Sequence, residues 1–464
     1  MNLPIEIFRE YDVRGIYPDQ INKENFLYLG KALGTFLLKK NIKSIVIGHD
    51  SRGSSHPLAE AMIEGLVSTG ASVTYVGITS QPALHYFTFL EGVQAGINIT
   101  ASHNPKEYNG FKVDYSHAMP FTNSEYKEVN KIVLSEEFAT GKGEVLIKDL
   151  NKFYVKELSD MFKIKNEFKV AVNCGNSASS QMAPVVLKNI GVEIVEHECV
   201  FEPDFPHGVP DPENTNFIKN SSKLVLESKA DLGVGFDGDG DRFGAVDEKG
   251  NHISTDKLLI LFAKDICSKK KDAKFLYDVK CSSIVESMIT KFGGHSEMMR
   301  TGRTYFIPKT LQKEADLAAE YSGHFFFADD YYGFDDGLYT ACRLIKFLDD
   351  YGKPLSAHFK DFPQFESTPE FQIPCPDNVK FDLVKDFYET VKLSGEFNEI
   401  STIDGVRVKI SEFGWFLIRA KNTSPFLTLR AEGKDKKELE EILDKVLHLL
   451  SKYKTLDLNS VKYI

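Results

Sequence analysis

The chain has 464 residues, of which 42% are hydrophobic and 27% charged, and its formal net charge is −11 at pH 7. That length exceeds what one hydrophobic core usually serves and predicts roughly three or four domains. The negative charge and the lack of a basic block interleaved with aromatic residues argue against nucleic-acid binding. The six cysteines form no Cys-x-x-Cys pair, so neither a zinc site nor a redox motif is indicated.

No apolar run reaches the roughly 18 residues that a bilayer-spanning helix requires. The N-terminal residues also lack the charged-then-apolar pattern of a signal peptide. We therefore expect a cytoplasmic protein without membrane association.

Strand-like and helix-like patterns alternate along most of the chain. Short apolar runs predict strands, and apolar residues at helical spacing predict helices. Such alternation indicates mainly parallel, layered sheets. In chain order, the predicted strands are 45–48, 73–77, 95–99, 170–173, 192–195, 232–236, 243–246 and 275–279, and the predicted helices are 57–68, 182–189 and 284–291.

The pattern changes after about residue 366. The proline-rich run 372–376 is predicted to be a linker, followed by strands at 415–419 and 426–430. A helix is predicted from about Lys436 to Tyr453, because its apolar residues recur at helical spacing. These elements fit a smaller α+β domain. The apolar residues of that helix are Leu439, Ile442, Leu443, Val446 and Leu450.

The run Thr-Ala-Ser-His-Asn-Pro at residues 100–105 suits neither a helix interior nor a hydrophobic core. Its Asn-Pro pair and the Asn109-Gly110 pair that follows are turn signals. Ser102 is therefore expected on a loop at the carboxyl end of the predicted strand 95–99. Open α/β sheets bind their ligands at such ends.

The run Phe-Asp-Gly-Asp-Gly-Asp-Arg at residues 236–242 alternates three carboxylates with two glycines. Carboxylates this close repel one another unless a cation neutralises them. Oxygen ligands suit Mg²⁺ or Ca²⁺, and the glycines allow the loop to curl so that Asp237, Asp239 and Asp241 converge. A solvated acidic turn is the alternative without a ligand.

An EF-hand is a second alternative, because Glu248 falls at the twelfth place of the loop that starts at Asp237. Arg242 occupies the sixth place, where the EF-hand needs a glycine. The flanking segments also read as strands and not as helices. These two observations exclude an EF-hand.

Two further runs carry polar groups that suit sugar and phosphate binding. Residues 320–324, Glu-Tyr-Ser-Gly-His, offer a carboxylate, hydroxyls and an imidazole beside a flexible glycine, although a structural histidine in a turn would look similar. Residues 419–425, Arg-Ala-Lys-Asn-Thr-Ser-Pro, offer two cations, an amide and two hydroxyls, which can hold a phosphate dianion. A polar surface hairpin would produce the same pattern.

The four runs, in this order and at these separations, resemble the phosphoserine, metal, sugar and phosphate loops of the α-D-phosphohexomutases. The runs 8–15, 48–52 and 205–213 resemble further segments of that family, so the likeness covers essentially the whole chain. The resemblance implies an α/β fold of four domains around a central cleft, three with related mixed α/β sheets and a smaller C-terminal α+β domain. The expected domains are 1–148 (phosphoserine loop), 149–253 (metal loop), 254–366 (sugar loop) and 367–464 (phosphate loop).

The resemblance also implies an activity: reversible conversion of hexose 1-phosphate to hexose 6-phosphate, with mannose or glucose as the sugar. The phosphoryl group would pass through a phosphoserine at Ser102 and a hexose 1,6-bisphosphate, which is also an activator. One Mg²⁺ per chain would be held by Ser102, Asp237, Asp239 and Asp241. The protein would be a monomer or a homodimer that acts on a small phosphosugar.

Site residues are carried over from the resemblance position by position. Lys112 or His324 would serve as the general acid and base. The implied catalytic residues are Ser102, Arg14, His103, Lys112, Arg242 and His324. The implied substrate-binding residues are Tyr11, Lys280, Arg303, Glu320, Ser322, His324, Arg419, Lys421, Asn422 and Thr423.

Two positions depart from the family pattern, and both bear on affinity and substrate range. Lys421 stands where a serine is usual, and Arg303 stands where a histidine is common.

Tyr321 favours mannose or glucose over glucosamine, which leaves a phosphoglucosamine mutase as the alternative. A non-catalytic sugar-phosphate binder is a further alternative. A serine hydrolase is excluded, because His103 adjoins Ser102 and no third group orients it.

Overall fold

The structure is a computed structural model that describes residues 3–422 and 424–461. The chain divides into two compact units. The first comprises Met1–Thr255, Phe306–Leu317 and Ser322–Phe359, and the second comprises Asp256–Tyr305, Ala318–Tyr321 and Lys360–Ile464. The domain boundaries expected from the sequence stay predictions.

The first segment of the chain forms a six-stranded sheet with the order β1-β5-β4-β2-β3-β6. Strand β2 runs parallel to β3 and β4, whereas β5 runs antiparallel to β1 and β4. The expectation of mainly parallel sheets is therefore only partly right, because a short turn returns the chain directly from β4 to β5. The elements are β1 Val13–Ile16, α1 Lys23–Lys39, β2 Ser44–His49, α2 Ser55–Ser68, β3 Ser72–Ile78, α3 Gln81–Phe87, β4 Ala95–Ile99, β5 Tyr108–Tyr115, α4 Asn123–Ser135 and β6 Val145–Ile147.

The second segment forms a five-stranded sheet with the order β11-β10-β9-β7-β8. Strands β7, β8 and β9 are parallel, and β9 and β10 form an antiparallel pair across the acidic run. The predicted strand 232–236 is confirmed. The elements are α5 Asn151–Met161, β7 Lys169–Asn173, α6 Ala183–Asn189, β8 Glu193–His197, α7 Thr215–Ser228, β9 Leu232–Phe236, β10 Phe243–Asp247 and β11 His252–Ile253.

The third segment begins in the second compact unit, where β12 and β13 pair in parallel. The predicted helix 284–291 is confirmed. The elements are α8 Thr255–Lys269, β12 Lys274–Asp278, α9 Ile284–Lys291, β13 His295–Met299, α10 Arg303–Leu311, β14 Leu317–Ala319, β15 Phe325–Phe327 and α11 Gly337–Tyr351.

The last segment is an antiparallel sheet with the order β16-β21-β20-β19-β18, and β17 also pairs with β21. Its core contains Phe387 of α12, Phe416 of β20 and the apolar face of α13. The elements are β16 Glu366–Ser367, β17 Phe371–Pro374, α12 Lys380–Ser394, β18 Glu399–Ser401, β19 Val406–Lys409, β20 Trp415–Ala420, β21 Phe426–Gly433 and α13 Lys436–Leu450.

Two predictions for this last segment are corrected. The predicted linker 372–376 is wrong, because its first three residues belong to β17, in which Phe371 and Ile373 are buried between exposed neighbours. This alternation is the pattern of a strand with one face on the core. The last helix ends at Leu450 and not at Tyr453, which lies in the turn that follows.

Candidate active site

The serine run forms a tight turn directly after β4. Ser102 has a φ of +49°, in the left-handed region that non-glycine residues rarely adopt. Its backbone N–H donates to Thr100 Oγ1 at 2.8 Å, which closes the turn. The predicted position of Ser102 at the carboxyl end of a strand is confirmed.

A buried arginine that the sequence analysis gave no role holds this turn. The Arg52 guanidinium donates to the carbonyl oxygens of Ser102 and Asn104, each at 2.7 Å, and to that of Pro105 at 2.6 Å. Asp50 accepts from Arg52 Nε at 3.1 Å and neutralises its charge. Because every guanidinium nitrogen is engaged, the serine loop has a rigid support.

The three aspartates converge as predicted. Asp237, Asp239 and Asp241 are fully buried, and one oxygen of each lies within 4.8 Å of the others. Close packing requires the first glycine between them, and backbone conformation requires the second. A Cβ on Gly238 would lie 2.4 Å from the Ser102 carbonyl oxygen, and Gly240 has a φ of +78°.

The serine hydroxyl contacts this carboxylate group directly. Ser102 Oγ donates to Asp237 Oδ2 at 2.8 Å and lies 3.1 Å from His103 Nδ1. The backbone N–H groups of Gly240 and Arg242 donate to the other oxygen of Asp237. Two parts of the chain that are 135 residues apart therefore meet at one hydroxyl.

The electrostatics of the triad fit a divalent cation. Burial, followed by the charges of Asp241 and Asp239, raises the pKa of Asp237 well above its ordinary value. Buried Oδ1 atoms of Asp239 and Asp241 have no hydrogen-bond donor among the described residues. Unsatisfied oxygens and mutual repulsion are what a hard cation with oxygen ligands removes.

Lys112 supplies part of the missing positive charge. Its Nζ donates to Asp239 Oδ2 at 2.9 Å and to Asp241 Oδ2 at 2.7 Å. Burial by itself would raise the pKa of Asp241, but Lys112 and His324 outweigh it and lower that pKa. Lys112 lies on β5, and the sheet register rather than the local sequence brings it to the triad.

His324 lies beside the triad and between two carboxylates. Its Nδ1 is 2.9 Å from Asp335 Oδ2 and 3.6 Å from Asp241 Oδ1, and its Nε2 lies 3.2 Å from Arg242 Nε. Burial lowers the pKa of His324, but Asp241 and Asp335 raise it to about 9. Because both ring nitrogens have neighbouring polar groups, the contacts fix the orientation of this imidazole relative to the carboxylates.

The remaining predicted residues of the first unit surround this group. Arg14 donates to Asn104 Oδ1 at 2.8 Å and to Asp12 Oδ2 at 2.6 Å, which places it against the serine loop. Arg242 Nη2 is 3.4 Å from His103 Nε2. Tyr11 is half-buried in the bend before β1, and Ser322 is buried in the turn before β15.

In the second unit, Glu320 and Tyr321 are held in fixed positions. Glu320 is buried, and its Oε2 accepts from the Gly302 backbone N–H at 3.2 Å, next to the buried Arg303. Asp278 accepts from the Tyr321 N–H at 3.0 Å. The Arg430 guanidinium carbon lies 3.7 Å from the centre of the Tyr321 ring, a close cation–π contact.

The predicted phosphate loop follows β20 in the same unit. Arg419 donates through Nε to Asp404 Oδ2 at 3.0 Å, and Lys280 donates to Glu370 Oε2 at 3.1 Å. The buried Nδ2 of Asn422 has no acceptor among the described residues. Thr423 lies outside the described residues.

Lys380, on α12, supports the backbone of this loop. Its Nζ donates to the carbonyl oxygens of Lys421 and Ser424 and forms an ion pair with Asp377 at 2.7 Å. The Lys421 N–H also donates to Phe426 O at 2.9 Å. Residues of the same segment of the chain therefore hold the backbone of the loop that carries the predicted cations.

Several structurally important residues carry no signal in the sequence. Arg52 stands in the run 48–52, which resembles a segment of the family, but nothing in that run indicates that its side chain is buried. Asp335 immediately precedes the N-cap residue Asp336, so the pair reads as helix capping. Glu370 and Asp404 are single carboxylates without a motif, and only the fold reveals their cationic partners.

A serine on a strained turn, in contact with a buried carboxylate triad that fits a divalent cation, is typical of enzymes that transfer phosphoryl groups. Comparison with known proteins identifies which ones. Four consecutive models of the phosphoglucomutase/phosphomannomutase family match the chain: α/β/α domains I, II and III at residues 6–140, 152–250 and 254–365, and the C-terminal domain at 370–449. The chain belongs to this family of phosphosugar mutases, and its four-domain α/β architecture is the family's.

Individual relatives agree along the whole chain. A phosphomannomutase/phosphoglucomutase of Pseudomonas aeruginosa is 37% identical, over 95% of this chain and 94% of its own. A phosphoglucomutase of Neisseria gonorrhoeae is 34% identical, over 94% and 95%. The crystal structure of a phosphoglucomutase/phosphomannomutase family protein from Burkholderia thailandensis superimposes with a TM-score of 0.89 at 32% identity, and covers 98% of both chains.

None of the helices in residues 3–422 and 424–461 combines the length and the apolar character needed to cross a lipid bilayer.

Proposed function

We propose that this protein interconverts hexose 1-phosphates and hexose 6-phosphates, with mannose or glucose as the sugar. The observation that carries the proposal is the contact between Ser102 Oγ and Asp237 within the buried carboxylate triad. The φ of +49° at Ser102, beside three buried carboxylates, is a strained backbone conformation of the kind that clusters at functional sites. Full-length relatives named phosphomannomutase/phosphoglucomutase support the same reaction.

In the proposed reaction Ser102 first carries the phosphoryl group. The bond between phosphorus and Ser102 Oγ breaks as a bond to a hydroxyl oxygen of the hexose phosphate forms, which gives a hexose 1,6-bisphosphate. The bisphosphate turns end for end. The bond between its other phosphorus and the sugar oxygen then breaks as a bond to Ser102 Oγ forms, which regenerates the phosphoserine and leaves the isomeric hexose phosphate. When bound by Asp237, Asp239, Asp241 and a phosphoserine oxygen, Mg²⁺ would supply charge stabilisation for the transferring group.

The reaction needs a general base near Ser102 for the proton of the attacking hydroxyl, and a general acid that returns a proton to the sugar oxygen released in the second transfer. Lys112 and His324 both lie against the triad, and each is paired with Asp241. His103 and Arg242, which contact each other beside Ser102 Oγ, would bind the non-bridging oxygens of the phosphoryl group. Arg14 would hold the serine loop through Asn104.

The second set of residues would bind the sugar and the phosphate that is not reacting. Glu320 and Ser322 are proposed to accept and donate hydrogen bonds to the ring hydroxyls. The proposed phosphate ligands are cationic or carry amide and hydroxyl donors. They are Lys280, Arg303, Arg419, Lys421, Asn422 and Thr423.

A phosphoglucosamine mutase is the alternative, and a substrate panel separates the two. Phosphorylated enzyme, primed with glucose 1,6-bisphosphate, is incubated in turn with mannose, glucose and glucosamine 1-phosphates, and the 6-phosphates are quantified. We expect turnover of mannose or glucose 1-phosphate to exceed that of the glucosamine ester by about tenfold or more. Preference for the glucosamine ester would replace the proposed substrate, and tight binding without turnover would indicate a sugar-phosphate binder.

Lys421→Ser, which restores the residue usual in the family, is expected to raise KM for glucose 1-phosphate by about 3- to 10-fold and to change kcat less than twofold or so. The reason is that Lys421 would bind the phosphate that does not react, and this contact is equal in the ground and transition states. Steady-state kinetics provide the measurement. Equal losses in kcat and kcat/KM with an unchanged KM would contradict the expectation.

A further inference from the structure

Glu370, at the start of the last segment, is a largely buried carboxylate among the predicted phosphate ligands. Its Oε2 accepts from Lys280 Nζ at 3.1 Å, and its Oε1 lies 3.6 Å from Lys421 Nζ. Thr428 Oγ1 donates to the same Oε1 at 3.1 Å. One carboxylate thus connects two cations that the proposed function assigns to phosphate binding.

The charge of Glu370 is firmly maintained. Burial favours its neutral form, but Lys280, Lys421 and Arg419 outweigh that effect and hold the pKa of Glu370 well below its usual range. An ionised carboxylate in this position attracts the same ammonium groups that a phosphate dianion would attract. Glu370 and the phosphate therefore compete for positive charge.

We propose that Glu370 is an internal counter-ion of the phosphate grip, by which we mean the set of proposed phosphate ligands named above. By pairing with Lys280 and Lys421, Glu370 weakens the affinity of this set for phosphate, so that the bound phosphate can leave. This inference rests on the proposed function, because it assigns these residues to the phosphate that is not reacting. An intermediate that turns end for end must release each phosphate from the grip within one catalytic cycle. A grip with uncompensated cations would bind too tightly for that release.

Lys421 gives the proposal a feature particular to this chain. A lysine at a position where the family usually has serine adds one positive charge to the grip. Glu370 lies close enough to offset most of that charge, since opposite charges about 4 Å apart in a partly buried site interact by several times the thermal energy. The pair Glu370–Lys421 would therefore leave the net charge of the grip similar to that of a relative with serine.

The test measures phosphate affinity separately from turnover. Glu370→Gln keeps the shape of the side chain and the acceptor for Thr428 but removes the charge. Isothermal titration calorimetry with inorganic phosphate and with glucose 1-phosphate is expected to show Kd lowered by about 5- to 20-fold. Steady-state kinetics should show a lower KM together with a kcat lowered by about threefold, because release becomes slower.

Glu366→Gln is the matched control, because Glu366 is an exposed glutamate four residues upstream of Glu370. The Kd of the Glu366→Gln variant for phosphate should equal that of the wild type. The double variant Glu370→Gln/Lys421→Ser has the same net charge as the wild type and should bind phosphate within about threefold of it. Removing Lys421 should also cost more affinity in the Glu370→Gln background than in the wild type. An unchanged or raised Kd in Glu370→Gln, or strictly additive effects in the cycle, would overturn the proposal.

The outcomes distinguish this inference from the proposed function. If Glu370→Gln binds phosphate more tightly but the wild type converts none of the three sugar phosphates, the counter-ion role stands and the proposed activity fails. If the wild type turns over normally but Glu370→Gln binds phosphate no more tightly, the activity stands and the counter-ion role is refuted.

Discussion

Replacing Ser102 by alanine is expected to lower kcat for glucose 1-phosphate by about 10³-fold or more, because the phosphoryl carrier is removed. The Oγ that contacts Asp237 and His103 is the only part of the side chain that is lost. Intact-mass measurement after priming with glucose 1,6-bisphosphate should show one added phosphate in the wild type and none in Ser102→Ala. Coupled assays of glucose 6-phosphate formation provide the rate.

A second alanine substitution controls for the loss of a hydroxyl. Ser116 lies in a short helical turn after β5, outside the candidate site, and Ser116→Ala should keep both the added mass and the rate. Turnover at the wild-type rate in Ser102→Ala, or an unchanged added mass, would show that another residue carries the phosphoryl group.

Replacing Asp237 by asparagine is expected to abolish Mg²⁺-dependent activity and at the same time to stabilise the metal-free protein. Asparagine keeps the oxygen that accepts from Gly240 and Arg242 but removes one of three buried charges. Differential scanning calorimetry in EDTA at pH 7 should show a Tm raised by about 1 to 3 °C. Adding MgCl₂ should raise the Tm of the wild type but not that of Asp237→Asn.

The sign of this effect depends on pH. Because the pKa of Asp237 is raised in the folded protein, its ionisation opposes folding, and stability is lost as the pH rises above the unfolded value of about 4. The gain from Asp237→Asn should therefore be largest near neutral pH and vanish below about pH 4. Asp444→Asn, at an exposed position of α13, should change neither Tm nor the response to MgCl₂. A lower Tm in EDTA for Asp237→Asn would refute the repulsion on which the metal assignment depends.

Much of the site could be predicted because its central features are local in the sequence. The alternation of Asp and Gly at 237–241 indicates a tight loop in which three carboxylates lie close together. Ser102 could be placed at a strand end because an apolar run precedes it and turn residues follow. The error at 372–376 had a local cause as well, since prolines outweighed the alternating burial that makes Phe371 and Ile373 strand residues.

Contacts between distant parts of the chain could not be predicted from such patterns. Arg52, Asp335 and Glu370 each stand in runs without a chemical signature. Their roles depend on which carbonyl, imidazole or ammonium the fold brings within about 3 Å. Sequence separation alone gives no information on those distances.

By itself, the sequence of this protein determined that a serine turn, an acidic loop, a hydroxyl-rich loop and a cationic loop follow one another on an α/β chain. Turn chemistry and charge repulsion act between neighbouring residues, so these features are visible without a fold. Only the tertiary structure decided that Ser102 donates to Asp237, that Lys112 pairs with Asp239 and Asp241, and that Glu370 is shared by Lys280 and Lys421. These pairings arise from strand register and buried packing, which bring together charges that lie far apart in the sequence and fix the distances on which their interaction depends.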